Sequence, residues 1–269
     1  MSNPHIHPTA VVDPRAKLHE TVEVGPHCYI GPYVTIGAET QLIANVTIIG
    51  RVTLGCRNRV FPGAVIGGDP QDISYRGSDT QVIVGDDNLI REGVTINRGS
   101  EKEDGITSVG NSCFLMAGCH IAHDCKVGSR VIMANATLLG GHVHVHDDAT
   151  ISGGVAVHHF STIGSFSFTG GLSRVLHDVP PYMLAEGNPS RPRCINLVAL
   201  KRNNFSADTI RALAEAHRLI YRARVGLDHA RELLRANELL LPAVNHLLNF
   251  LQNQHEGRHG RGRDRRRAA

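Results

Sequence analysis

The 269-residue sequence predicts a parallel β-helix, a prism of stacked coils, followed by a small α-helical part. Three observations carry this. Aliphatic residues recur every six positions without a miss at Ile6, Val12, Leu18, Val24, Ile30, Ile36, Leu42, Ile48, Leu54, Val60 and Ile66. At a hydrophobic content of 41%, a chance run of that length has odds on the order of 10⁻⁴, so the repeat is real. A second unbroken run covers Val109, Leu115, Ile121, Val127, Met133, Leu139, Val145, Ile151, Val157 and Ile163. Third, aromatic residues make up only 4% of the chain, with no Trp against 28 Gly. Such a core is built from many small aliphatic layers instead of large rings.

A period of six fits short strands joined by tight turns. The aliphatic position points inward, as does the fifth place with its small residues: Cys28, Val34, Cys113, Cys119, Cys125, Thr137, Ala149 and Val155. Gly follows the aliphatic residue at Gly25, Gly31, Gly37, Gly55, Gly85, Gly110, Gly128 and Gly164. There it is expected to take a corner geometry that other residues resist. Coils then stack at the strand spacing of ~4.8 Å.

Two segments interrupt the repeat. Between Ile66 and Val84 the aliphatic slots hold Asp72 and Ser78, and between Ile96 and Val109 the phase slips by one. External loops are expected at about 67–83 and 97–108, and loops on a rigid scaffold often carry function. The repeat fades after Val175 into the Pro-rich DVPPYMLAEGNPSRPR, which sets the β-helix at 1–186. A helical domain over 187–254 follows. Ser206 is the expected N-cap of SADTIRALAEAHRLIYRA, with Ile210, Leu213, His217 and Ile220 on one stripe. LDHARELLRA and PAVNHLLNFLQ are further helices, and 255–269 is expected to be a disordered basic tail.

No stretch approaches the ~20 apolar residues of a membrane span. The N-terminal residues lack the basic-then-apolar plan of a signal peptide, and six Cys in this length do not make a disulfide framework. A cytoplasmic protein without a membrane span is expected. The net charge of +3 resides in the tail, where six Arg face Glu256 and Asp264; the rest has 22 basic and 23 acidic residues. Basic character also gathers over 190–236, with ten Lys or Arg against four acids. Nucleic acid is not an expected partner.

The hexads resemble those of the hexapeptide-repeat acyltransferases. That resemblance implies three hexads per triangular coil and a left-handed winding, opposite to the rule for ordinary parallel crossovers. With 18 residues per coil, the hexads starting at Ile121, Leu139 and Val157 share one face. They gather His123 and Asp124, Gly141 and His142, and His158 and His159, with His120 at the corner just before. Imidazoles held on a rigid face suit proton transfer near neutral pH. Acyl transfer to a hydroxyl needs such a base, and donors for the oxyanion forming on the thioester carbonyl. A solvated or hydrogen-bonded histidine surface is the bland alternative. Three His could also hold zinc, as in the γ-class carbonic anhydrases. Cys113, Cys119 and Cys125 fall on the inward position and are expected in the core.

A closer resemblance rests on HIAHDCKVG at 120–128, GDPQD at 68–72, REGVTINRGS at 91–100, GGVAVHHF at 153–160, DVPPYMLAEGNP at 178–189 and INLVALKR at 195–202. With these the chain resembles the UDP-N-acetylglucosamine O-acyltransferases over about residues 5–250. The resemblance implies transfer of an (R)-3-hydroxyacyl group from acyl carrier protein to the sugar 3-hydroxyl, the first step of lipid A biosynthesis. It implies a homotrimer with the cleft between subunits, and no cofactor or metal. It makes His123 the general base, Asp124 its motif neighbour and Gly141 the backbone oxyanion donor. His120, His142 and His158 match residues that bind substrate or assist catalysis, and His159 stands where Gln is common. Gln71 and Asp72 match loop residues near the sugar nucleotide. Asn196 and Arg202 match residues at the acyl-chain or nucleotide end, and Gly171 matches the position that measures acyl length. Ser74, Pro189 and Asn203 depart from the pattern and bear on nucleotide contacts and donor length. Because alternate strand residues point to opposite sides, His123 and Asp124 are not expected to form a simple dyad. Two other functions stay open: N-acylation of a 3-amino sugar nucleotide, and a non-catalytic β-helix used for binding.

Overall fold

The computed structural model describes residues 4–258 and 260–263. Three sheets of eleven, nine and eight strands, parallel except for the last pair of the first, form the faces of a prism. On the first face Val24 lies against Leu42 and Leu42 against Val60, partners 18 residues apart. The count then breaks, since Val60 pairs with Ile90 and Ile90 with Leu115. The surplus leaves the prism as two loops. Residues 69–80 lie between the strands Val65–Gly68 and Gln81–Val84, and residues 98–105 between Thr95–Asn97 and Ile106–Val109. Both are shorter than expected because their flanks extend the sheets. Gln81–Val84 pairs residue for residue with Arg51–Leu54 and with Ile106–Val109.

The hexad aliphatics form one continuous core from Val24 to Ile163, nearly all at 0–2% exposure. Ile6 is exposed and Val12 and Leu18 only half-buried, because they belong to the first coil among the described residues and are covered there from one side. Cys28, Cys113, Cys119 and Cys125 are buried free thiols. Burial pushes the Cys125 thiol up to about 12 and the Cys113 thiol to about 11.

The hexad glycines answer a different need from the expected one. Gly25 and Gly37 do not have positive φ. A Cβ on Gly25 would come 1.8 Å from the Ile43 carbonyl oxygen, and one on Gly37 2.7 Å from the Gly55 carbonyl carbon. Glycine is required there by the backbone of the next coil. The left-handed corner conformation falls mostly on other residues, including His27, Asn45, Asp124, His142 and Phe160.

The prism closes with Met183–Gly187, which joins the first face in parallel and pairs antiparallel with Ser190–Ile195. Helices α1 (Leu197–Arg202), α2 (Ala207–His217), α3 (Leu227–Ala236) and α4 (Pro242–His255) follow, with a π-helical turn at Arg218–Arg222 after α2. Ser206 caps α2, its Oγ accepting the Thr209 N–H at 3.1 Å. Leu213, Ala216, Leu234, Leu247 and Leu248 pack with Tyr182, Met183 and Leu200 into a second core against the prism end. Among the described residues no helix is long and apolar enough to cross a membrane. The disorder expected over 255–269 does not hold for all of that stretch. His255 completes α4, and Gly260–Arg263 forms a 3₁₀ turn seated on the third face, where the Gly260 N–H meets Thr162 Oγ1 at 3.2 Å. Residues 264–269 lie outside the described residues.

Candidate active site

The strand His120–Ile121 belongs to the second face and Lys126–Val127 to the third. The corner between them, repeated on three coils, places Asp124, His142 and Phe160 above one another with φ of 61, 63 and 65°. Ladder bonds pin the corners: the His142 N–H donates to the His123 carbonyl and the Phe160 N–H to the Gly141 carbonyl, both at 3.0 Å. A left-handed residue does not alternate as a strand does. His123 and Asp124 therefore turn toward each other, with His123 Nδ1 2.8 Å from Asp124 Oδ2. The dyad that strand alternation argued against is present, because the strand ends at Ile121.

Asp124 is fully buried. Its Oδ1 accepts the Ser100 N–H at 2.8 Å and its Oδ2 the Ser100 hydroxyl at 2.6 Å, while its own N–H donates to Thr107 Oγ1 at 2.8 Å. Burial pushes the carboxyl up, but His123, Ser100 and the nearby His142 together pull it below its usual value. An ionised carboxylate only accepts, so His123 Nδ1 carries hydrogen and Nε2 is the open lone pair. The His123 side chain is 11% exposed, enough to meet a substrate atom.

The other rings continue from this pair. His142 meets His123 edge-on at 5.1 Å and stacks flat on Phe160 at 4.3 Å. His159 contacts Phe160 at 5.6 Å and His158 at 3.8 Å. The buried His142 has Nε2 3.8 Å from Asp124 Oδ2 and Nδ1 3.1 Å from Glu103 Oε1. His120 lies within its strand and not at a corner, its Nδ1 2.7 Å from Thr95 Oγ1. Burial, then the charge of His123, push its pKa down. The His123 ring covers Gly141, where a Cβ would come 2.6 Å from Cε1 and 2.7 Å from Nε2.

The remaining candidates are more dispersed. Asp72 accepts from Lys102 and, at 2.9 and 2.8 Å, from the N–H and hydroxyl of Ser74. The Lys102 bond joins the two external loops. Gln71 is exposed beside it. Asn196 is buried as the N-cap of α1, with Oδ1 accepting from Ala199 at 3.2 Å and Nδ2 donating to the Phe166 carbonyl at 2.9 Å. Arg202 is exposed in the last turn of α1. Gly171 is exposed on another corner, the one after the first face, above Gly153. Ser100, Thr107, Glu103 and Phe160 serve the site and were not singled out from the sequence. The 18-residue step from Asp124 and His142 leads to Phe160 and could have found that one.

His123, Asp124 and His142 also bring ligand atoms within 4.8 Å of one another, a spacing that could hold a metal ion. A cation there would share the Asp124 carboxylate with one hydrogen bond on Oδ1 and two on Oδ2.

Comparison with known proteins bears on the fold and the family. The family described as bacterial transferase hexapeptide (six repeats) matches residues 3–38 and 106–141. The family described as UDP N-acetylglucosamine O-acyltransferase, domain 2, matches residues 178–261. An acyl-(acyl-carrier-protein)–UDP-N-acetylglucosamine O-acyltransferase of Myxococcus xanthus is 46% identical over 252 residues, covering 94% of this chain and 98% of its own. The protein of that name from Verminephrobacter eiseniae is 50% identical over 230 residues, covering 86% and 87%. The solved UDP-N-acetylglucosamine acyltransferase of Bacteroides fragilis superposes with a TM-score of 0.89 at 38% identity, covering 92% of this chain and 97% of its own. The prism is thus a left-handed β-helix, as the resemblance to the hexapeptide-repeat acyltransferases implies. Similarity of this depth, along nearly the whole length of each relative, means that the chain belongs to the acyl-(acyl-carrier-protein)–UDP-N-acetylglucosamine O-acyltransferase family.

Proposed function

We propose that the chain transfers an (R)-3-hydroxyacyl group from acyl carrier protein to the 3-hydroxyl of UDP-N-acetylglucosamine, opening lipid A biosynthesis, with His123 as general base. The observation that carries this reading is the pair Asp124–His123, held at 2.8 Å with Nε2 open above Gly141. Nε2 takes the proton of the sugar hydroxyl as its oxygen attacks the thioester carbonyl. The negative charge passes to the carbonyl oxygen, for which the Gly141 N–H is the donor. The coil-to-coil ladder supports that role, since Gly140 bonds to Val157 and His142 to His123 on either side of it. Collapse forms the ester and expels the carrier thiolate, which recovers the proton from His123. Asp124 stabilises the imidazolium between the two transfers.

The neighbouring corners, with His142, His158 and His159, and the loop residues Gln71 and Asp72 supply polar contacts for the sugar nucleotide. Asn196 fixes α1, which presents Arg202 to solvent. The relatives' names argue for a hydroxyl acceptor over a 3-amino one. The assembly is a cytoplasmic homotrimer, and the basic 190–236 region offers acidic acyl carrier protein a complementary surface. The test is mass spectrometry of UDP-N-acetylglucosamine incubated with the protein and a mixed pool of acyl carrier thioesters. A 3-O-acyl product is expected. Acylation of only a 3-amino analogue would replace the acceptor. The ligand spacing of His123, Asp124 and His142 supports a zinc enzyme as the second reading. Stoichiometric zinc with bicarbonate dehydration would establish it.

A further inference from the structure

The basic C-terminal segment returns to the active-site corner. The Arg263 guanidinium Nη2 donates to the His142 carbonyl at 2.6 Å and to the Phe160 carbonyl at 2.9 Å, bridging two successive coils. Nη1 donates to His144 Nε2 at 2.9 Å. It lies 3.7 Å from Glu103 Oε1, the oxygen 3.1 Å from His142 Nδ1. The guanidinium carbon stands 5.7 Å from the Phe160 ring. Only 17% of the side chain is exposed. A cation withdrawn from water this far is stable only where acceptors or carboxylates replace its hydration. Two carbonyls, one imidazole nitrogen and one carboxylate do so for Nη1 and Nη2, while the buried Nε has no partner among the described residues. Planar Arg can serve these directions together, while Lys cannot.

We propose that Arg263 is a positioning residue of the active site, locking His142 and Phe160 through their main chain and Glu103 beside His142. The reading rests on His123 as the base. His142 is the ring against which His123 packs, and Phe160 is the ring under His142. Displacing either loosens the floor of the dyad. Two charge effects agree. Burial pushes the Glu103 carboxyl up, but His142 and Arg263 bring it below its usual value. Burial and the Arg263 charge lower His144 to about 4, so that its Nε2 is free to accept.

The test compares the full chain with Arg263→Ala, Arg263→Lys and a chain ending at Arg258. Steady-state kinetics, thermal unfolding and NMR titration of His144 with ¹³C-labelled histidine are measured on each. Arg263→Ala and the truncation are expected to lower kcat between about 10- and 100-fold with little change in KM or unfolding temperature. Arg263→Lys falls between them and the full chain. In Arg263→Ala and in the truncated chain, which lack a cation at this place, His144 is expected to titrate above about 4. Unchanged or raised kcat would overturn the proposal, the raised value pointing to a plug over the site. So would a lower kcat with an unmoved His144, because Arg263 would then not be seated there. His123→Ala in parallel separates the two readings. If it stays active, the base assignment fails, while the His144 titration still reports on the seat.

Discussion

A histidine proposed as a base needs something to fix which nitrogen carries the hydrogen, and buried Asp124 is placed to do this for His123. His123→Ala should lower kcat by about 10²- to 10⁴-fold, the usual scale of general-base catalysis. Asp124→Asn keeps the shape and removes the charge, so its loss should fall in kcat and not in KM. Steady-state kinetics beside thermal unfolding separates these from misfolding. Gly141→Ala tests placement instead of chemistry. Its Cβ would stand 2.6 Å from His123 Cε1, so the ring must swing away. A misplacement near 1 Å can cost about 100-fold, and that loss is expected in kcat with unfolding temperature unchanged. Recovery of full activity in this variant would mean that the His123 position is not critical. At this scale the sequence showed the imidazoles, because equal spacing on equal coils needs only counting. It could not show the orientation of the dyad, which depends on the left-handed backbone at Asp124. Nor could it show Ser100 and Glu103, delivered by a loop whose path no period dictates.

Each coil is held by the coil on either side, so its residues are judged by what the next one brings. The hexads made this stacking legible down to the register, and the two loops disturbed it only by adding length. The tail was not legible, because a run of Arg and Gly looks solvated until a seat for one Arg is visible. Asp178 shows what coil closure does to a charge. It is buried at the last coils, with Oδ1 accepting the Thr162 N–H at 2.9 Å and Oδ2 among the buried atoms without a partner. Burial raises its pKa from 3.8 to about 6. The folded state then binds this proton more tightly than the unfolded chain, so the contribution of Asp178 to stability is greatest below 3.8 and is lost as pH rises through about 6. Above that pH the ionised group destabilises by about 3 kcal/mol on linkage alone. Asp178→Asn keeps the acceptor for Thr162 and cannot ionise. Thermal melts should show it more stable than the parent at pH 7.5, with the gap closing toward pH 4. A gap that is the same at both pH values would remove Asp178 as its source.

Within a single chain the proposed substrate contacts do not share a corner. His123, Gly141 and His159 follow the second face, while Gly171, above Gly153, follows the first. A substrate touching both either spans the second face of one prism or lies between two prisms, and the homotrimer proposed above takes the second course. A closed three-fold ring meets that demand, because each subunit offers one surface to one neighbour and a different surface to the other. From Val11 through Tyr29, Thr47, Val65, Thr95, His120 and Leu138 to Ala156 the outward ladder on the second face carries no Asp, Glu, Lys or Arg, and its last rung is the exposed Arg174. On the first face the stretch Leu89, Phe114, Ile132, Thr150, Phe168 is uncharged as well. Two uncharged surfaces on different faces are what such a ring needs. Complementation tests the arrangement. His123→Ala alone lacks the base, and Gly171→Trp alone fills the groove expected to take a long acyl chain. In trimers assembled at random from equal amounts of both, about a quarter of the sites join an intact His123 to a neighbour's intact Gly171. Activity with a long-chain donor should return to that fraction when the two inactive chains are co-expressed, and not when they are mixed as preformed trimers. If instead one chain supplied both residues, every site would keep one lesion and co-expression would restore nothing.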